Sequence, residues 1–226
     1  MYAVVVGDSI AEGEPAGKGR LNMMGRFVPD LLSRPGQLSY ELAQRSGVFH
    51  YNHGMGGQGC ALVRARWRRD VLAEESDPLD GRGPRTLPAG TRPVLAYLHV
   101  GINDVAYSVP LQQMQDAFLY FAASTARHGI TLVVDNIGAF QGMHGAMLEQ
   151  ALAFNAWLRD TLVPRHPHMA WVDYADWSTG GSGDLGRPAE GRLVDGLHPS
   201  ARGYADFARY ACQRLSLPAT AALRYR

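Results

Sequence analysis

The sequence predicts a three-layer α/β fold around a doubly wound parallel sheet, and three observations carry that expectation. Short β-rich runs alternate with helical patterns of 10 to 20 residues along the chain, which implies parallel βαβ units. The first run, "YAVVV", is continuously apolar, as in a strand buried on both faces. The small polar residues cluster just past the runs rather than within them.

The elements follow in order. "YAVVV" (Tyr2–Val6) reads as the first strand and "GVFHYN" (Gly47–Asn52) as a weaker second. "PVLAYLHVG" (Pro93–Gly101), "ITLVVDNIG" (Ile130–Gly138) and "MAWVDYA" (Met169–Ala175) read as the third, fourth and fifth. Between and after them, "LSYELAQRSG", "VPLQQMQDAFLYFAASTARHG", "AMLEQALAFNAWLRDTLV" and "PSARGYADFARYACQRLS" carry apolar residues at helical spacing. Gly129 stands where a helix C′ glycine is expected. Right-handed crossovers between these strands stack helices on both faces of the sheet. Asp77–Arg92 and Ser178–Arg192, rich in Pro and Gly, read as surface loops.

Size and composition narrow the function. The chain has 226 residues, enough for a single domain over 1–226, with 46% hydrophobic and 19% charged residues, so a globular fold is expected. A formal net charge of +1 gives no field that would favour nucleic acid or a membrane surface as partner. The densest basic cluster, "RARWRR" (Arg64–Arg69), reads as a solvated helix face. Two distant cysteines, Cys60 and Cys212, make neither a disulfide framework nor a zinc pattern. His50, His53 and His99 lack a carboxylate or cysteine at ligand spacing, so neither metal nor other cofactor is expected. Met1 leads directly into the first strand, and no run of apolar residues is long enough to span a bilayer. A cytoplasmic protein is the expectation.

In open parallel sheets the ligand crevice lies beyond the carboxyl ends of the strands. Past the first strand come Gly7, Asp8 and Ser9; past the second, "NHGMGGQG"; past the third, "GIND"; before the last helix, "DGLHPS". These are the parts acyl transfer needs. A serine hydroxyl requires a base to take its proton, a histidine can be that base, and a carboxylate can hold its tautomer. Asp195 and His198 are three residues apart in a loop restricted by Gly196 and Pro199, so the carboxylate can fold back on the imidazole. The N–H groups of Ser9 and Gly57 and the side-chain amide of Asn103 can supply donors to a developing oxyanion.

"GDSI", a glycine five residues past Asn52, "GIND" and "DGLH" resemble, in order and spacing, the four signature blocks of the SGNH (GDSL-like) hydrolase superfamily. "LAFNAWLR" is similar to the helix before the last strand in many bacterial members. The resemblance implies a flavodoxin-like sandwich with a five-stranded parallel sheet. It implies Ser9 as nucleophile, Gly57 and Asn103 as oxyanion donors, His198 as base and Asp195 as its partner. Ile10 replaces the usual Leu of the first block. Gly54, Gly56, Gly57 and Gly59 compete for the backbone-donor role; spacing selects Gly57, with Gly56 next. The stretch Ala11–Gln37 exceeds what a minimal member needs, and its "KGRLNMMGRFVPD" is expected to border the substrate site.

The expected activity is therefore a serine esterase acting on a small-molecule ester through an acyl-enzyme. Short acyl groups, such as acetyl on a sugar or small metabolite, are preferred by family analogy. The alternatives are an acyltransferase or thioesterase with the same triad, or a ligand-binding domain that has lost turnover. The sequence leaves the oligomeric state open.

Overall fold

The computed structural model describes residues 1–15, 20–21 and 27–28 (backbone only), 33–74, 87 and 91–215. Five strands form one parallel sheet: β1 (Tyr2–Gly7), β4 (Phe49–Gly54), β5 (Leu95–His99), β6 (Thr131–Asp135) and β7 (Met169–Val172). They lie in the order β4-β1-β5-β6-β7. The chain runs from β1 to one neighbour, then crosses to the other, so β1 sits at a topological switch point of a flavodoxin-like sheet. A separate antiparallel pair, β2 (Arg20–Leu21) and β3 (Phe27–Val28), falls within Ala11–Gln37. The rest of "KGRLNMMGRFVPD" lies outside the described residues, as does nearly all of the expected loop at Asp77–Arg92.

The two-residue period of each strand divides the interior in two. Tyr2, Val4 and Val6 of β1, Ala96 and Leu98 of β5 and Leu132 and Val134 of β6 enter one core. There they meet Trp67 of α3 (Cys60–Asp70), Phe118 and Phe121 of α5 (Leu111–His128) and Phe154 of α6 (Gly145–Trp157). Val5, Tyr97, Val133 and Val172 point the other way. They pack on Leu38 and Leu42 of α2 (Leu38–Ser46), Trp177 of α7 (Tyr174–Thr179) and Phe207 of α8 (Ala201–Arg214). Each fully buried aromatic or leucine contributes about 1.5–3 kcal/mol of transfer free energy. The helices are thus on both faces, as the alternation of elements predicts.

Several boundaries differ from the sequence reading for local reasons. "MAWVDYA" is cut at Val172 because the Asp173 carboxylate accepts from Asp176 N–H and caps α7. The helix expected through Val163 is α-helical only to Trp157, then widens to a π turn over Leu158–Leu162 and tightens to 3₁₀ over Val163–Arg165. Pro164 cannot donate in an α-helical ladder, and its ring would collide with the carbonyl four residues back. Gly129 ends α5 with φ 66°, as expected.

The solvated-face reading of Arg64–Arg69 fails outright at Arg66, and Arg69 is half-buried, its side chain paired with Asp70 at 2.8 Å. Arg66 is only 6% exposed and forms a buried ion pair with Asp70 at 2.6 Å. Helical spacing from Val63 through Arg66 and Trp67 to Asp70 puts it on the inward stripe. Among the described residues no helix is long and apolar enough to cross a membrane.

Candidate active site

The site begins at the carboxyl end of β1. Gly7 pairs with Gly54 on one side and His99 on the other, at φ 150°. A Cβ here would lie 1.7 Å from the His99 carbonyl oxygen, so only glycine lets the strand end this close to β5. Asp8 follows as the N-cap of α1 (Ser9–Glu12), its carboxylate accepting from Ile10 N–H at 3.0 Å. Burial pushes the Asp8 carboxyl up to about 6, against the opposing pull of His99 and the Ile10 N–H. Ser9 is the first helical residue, and its backbone N–H has no partner among the described residues.

His198 reaches Ser9 from a position 189 residues away in the chain. Its Nε2 lies 2.8 Å from Ser9 Oγ, and its Nδ1 lies 2.7 Å from Asp195 Oδ2. The other Asp195 oxygen accepts the backbone N–H groups of Leu197 (3.0 Å) and His198 (2.7 Å). One short loop therefore orients the carboxylate and the ring together. The loop is closed by an antiparallel bridge between Leu193 and Pro199, and Ser200 then caps α8 by accepting from Gly203 N–H. Burial works to raise the Asp195 carboxyl, but those two backbone donors and the His198 ring outweigh it and hold it below the usual carboxylate range. With Nδ1–H bonded to Asp195, the Nε2 lone pair is directed at the hydroxyl, which suits proton abstraction. The Asp195 side chain is 51% exposed and that of His198 14%, so water has access to the pair.

The glycine loop after β4 lies alongside. A Cβ on Gly56 would sit 3.8 Å from Ser9 Cβ. The Gly56 N–H is engaged, donating to Glu12 Oε2 at 2.7 Å. The Gly57 N–H makes no hydrogen bond among the described residues, and a side chain at Gly57 would meet nothing within 4 Å. Its φ of 75° is left-handed. The Gly57 N–H is thus unbonded among the described residues, while the Gly56 N–H is taken by Glu12. Asn103, the second residue of α4 (Ile102–Ala106), donates its side-chain N–H to the Gln58 carbonyl at 3.0 Å. That bond uses one of its two amide hydrogens and leaves the other for a ligand. Asp104 accepts from Cys60 N–H at 2.9–3.0 Å, capping α3 from another element and tying the end of the loop to α4.

Beneath Ser9 lies a group of polar side chains that sequence patterns do not single out as a cluster. His99 Nδ1 lies 2.8 Å from Asp135 Oδ2, which also accepts from Tyr97 Oη at 3.1 Å. Tyr174 packs edge-on against the His99 ring at 4.8 Å. Burial alone would push the His99 imidazole down, but Asp135 and Asp8 together reverse this and raise it. His99 and Asp135 are the last residues of the adjacent strands β5 and β6, and Asp8 directly follows β1 on the other side of β5. His99 and Tyr174 also line a small cleft. Its walls include Ile10, Ile102 and Leu197, the chain neighbours of Ser9, Asn103 and His198.

A serine, histidine and aspartate in hydrogen-bonded series, beside free N–H donors and a small cleft, can carry out acyl transfer. The comparisons with known proteins agree. The model of the GDSL-like Lipase/Acylhydrolase family matches residues 5–205. No curated protein is significantly similar in sequence. Among solved structures, a G-D-S-L family protein from Desulfitobacterium hafniense DCB-2 superposes with a TM-score of 0.68 at 19% identity, covering 94% of this chain and 98% of that one. A catalytic mutant of an acetylxylan esterase from Geobacillus stearothermophilus gives 0.66 at 16% identity, covering 100% and 97%. An α/β hydrolase from the metagenome of Lake Arreo, Spain, gives 0.65 at 18% identity, covering 96% and 95%. These identities speak for a shared fold.

Proposed function

This chain belongs to the GDSL-like lipase/acylhydrolase family and is an ester-hydrolysing enzyme, and from that premise we propose that it cleaves short-chain carboxylic esters through an acyl-enzyme on Ser9. The observation that carries the reading is the continuous Ser9–His198–Asp195 series at 2.8 and 2.7 Å. His198 Nε2 takes the Ser9 proton as Oγ attacks the ester carbonyl. The oxyanion of the tetrahedral intermediate accepts from the N–H groups of Ser9 and Gly57 and the Asn103 amide. On collapse the C–O bond to the alcohol breaks, and His198 returns the proton to that oxygen. Water then attacks the acyl-enzyme with His198 again as base, and the acid is released. The partial exposure of His198 and Asp195 favours water as acceptor over an alcohol that would need a closed site.

The small cleft supports short acyl groups, and the likeness to an acetylxylan esterase supports acetyl on a sugar as one substrate. A panel of p-nitrophenyl esters of rising chain length tests this. Acetate to butyrate are expected to be the best substrates, with kcat/KM lower by about tenfold or more at octanoate, since each added methylene is worth roughly 1 kcal/mol in either direction. A kcat/KM that climbs through octanoate and decanoate would reject the short-acyl reading.

The oxyanion assignment has its own test. Asn103→Ala is expected to lower kcat by about 10²–10³-fold with little change in KM, because one donor to the developing charge is lost. Its bond to Gln58 contributes about 1 kcal/mol to stability, so thermal unfolding shifts by only a few degrees. A kcat within about threefold of wild type would remove Asn103 from the donor set.

A further inference from the structure

We propose that Arg66 is a positioning residue that sets the oxyanion-binding loop against the nucleophile strand; the proposal rests on the reading of Ser9, Gly57 and Asn103 given above. One guanidinium, buried under the loop, ties together three pieces of chain that sequence keeps apart. Its Nη2 donates to the Gly7 carbonyl at 2.8 Å, two residues before Ser9. Its Nη1 donates to the His53 carbonyl at 2.7 Å, at the end of β4. Its Nε donates to Gln58 Oε1 at 2.6 Å, within the loop and next to Gly57. Gln58 in turn accepts from the Asn103 amide on its backbone carbonyl. All three proposed donors to the oxyanion are thus one or two links from the same planar group. Met55 N–H reinforces the junction by donating to the same Gly7 carbonyl at 3.0 Å.

The charge is held by Asp70, at 2.6 Å and fully buried, which also accepts from Arg69. A salt bridge alone would need only a cation. The fork of N–H groups directed at two main-chain carbonyls and an amide is what a lysine cannot reproduce. The role is geometric, since Arg66 is buried and its guanidinium is engaged by two main-chain carbonyls, Gln58 and Asp70. Small displacements matter here, because a misplacement of about 1 Å can cost on the order of 10²-fold in rate.

The test separates positioning from folding by reading kcat per active site, titrated with a fluorophosphonate. Arg66→Lys keeps the cation for Asp70 and loses the fork; Gln58→Leu keeps the Arg66–Asp70 pair and loses the link from Arg66 to the loop, together with the Gln58 Nε2 bond to Met55 Sδ at 2.8 Å inside the loop. Arg66→Lys is expected to lower kcat per titrated site by about 10- to 100-fold with KM within about threefold, and Gln58→Leu by about tenfold. A boronic acid that forms a tetrahedral adduct on Ser9 should lose affinity in parallel with kcat, whereas substrate KM should not. If Arg66→Lys fails to fold, Gln58→Leu alone decides. Values of kcat per titrated site within about twofold of wild type, beside an inactive Ser9→Ala, would overturn the proposal. Full activity in Ser9→Ala would instead remove the reading of the site beneath it.

Discussion

Ser9→Ala is expected to abolish ester cleavage, with a loss in kcat on the order of 10⁶-fold, while the protein stays folded. The Ser9 hydroxyl has His198 Nε2 as its partner at 2.8 Å, so its removal costs about 1 kcal/mol of stability. The backbone that places residue 9 is untouched, because Gly7 and the Asp8 cap do that work. Steady-state hydrolysis of p-nitrophenyl acetate measures the loss, and thermal unfolding checks the fold. A fluorophosphonate should modify the wild-type protein at Ser9 and leave Ser9→Ala unmodified. Stoichiometric modification of Ser9→Ala at another serine, with activity retained, would sink the assignment.

The second large effect concerns the base and the acid that holds it. His198→Ala should cost about as much as Ser9→Ala, and the double variant little more, because the two act as one unit. Asp195→Asn should cost less, roughly 10⁴-fold in kcat. The geometry gives the reason. An asparagine oxygen at the Oδ1 position can still accept the N–H groups of Leu197 and His198, so the loop survives. Its amide NH₂ then faces Nδ1, forcing the ring proton to Nε2, where it points at Ser9 and cannot be a base. In the native protein the same hydrogen bonds hold the Asp195 carboxyl below the usual carboxylate range and so favour its ionised form. Equal losses from Asp195→Asn and Asp195→Ala, with unchanged unfolding, would show that tautomer control is not its contribution.

Much of the fold and part of the site are legible in the chain itself. The strands announce themselves because a parallel sheet covered on both faces demands continuous apolar runs, and "YAVVV" can serve nothing else so well. Asp195 and His198 are legible as a pair because three residues with Gly196 between them make a local turn, and local geometry follows from local sequence. The arginine cluster misleads at Arg66, where basic composition hides the helical spacing from Val63 to Asp70 that turns this one side chain inward.

The sequence by itself determined the alternation of elements, the strand ends on which polar residues cluster, and the types of group available there. It did so because side-chain period, apolar runs and turn residues act over a few residues at a time. Only the tertiary structure decided which groups meet. Nothing near position 9 states that its hydroxyl lies 2.8 Å from a ring 189 residues away. Spacing in "GMGGQG" selects Gly57 over Gly56, but only the packing of Glu12 shows that the Gly56 N–H is taken, at 2.7 Å. Likewise His99, Asp135 and Asp8 become one buried cluster because three strands end side by side. Such contacts depend on strand order and register, which are settled by burying both faces of the whole sheet at once, and a local reading of the chain cannot see them.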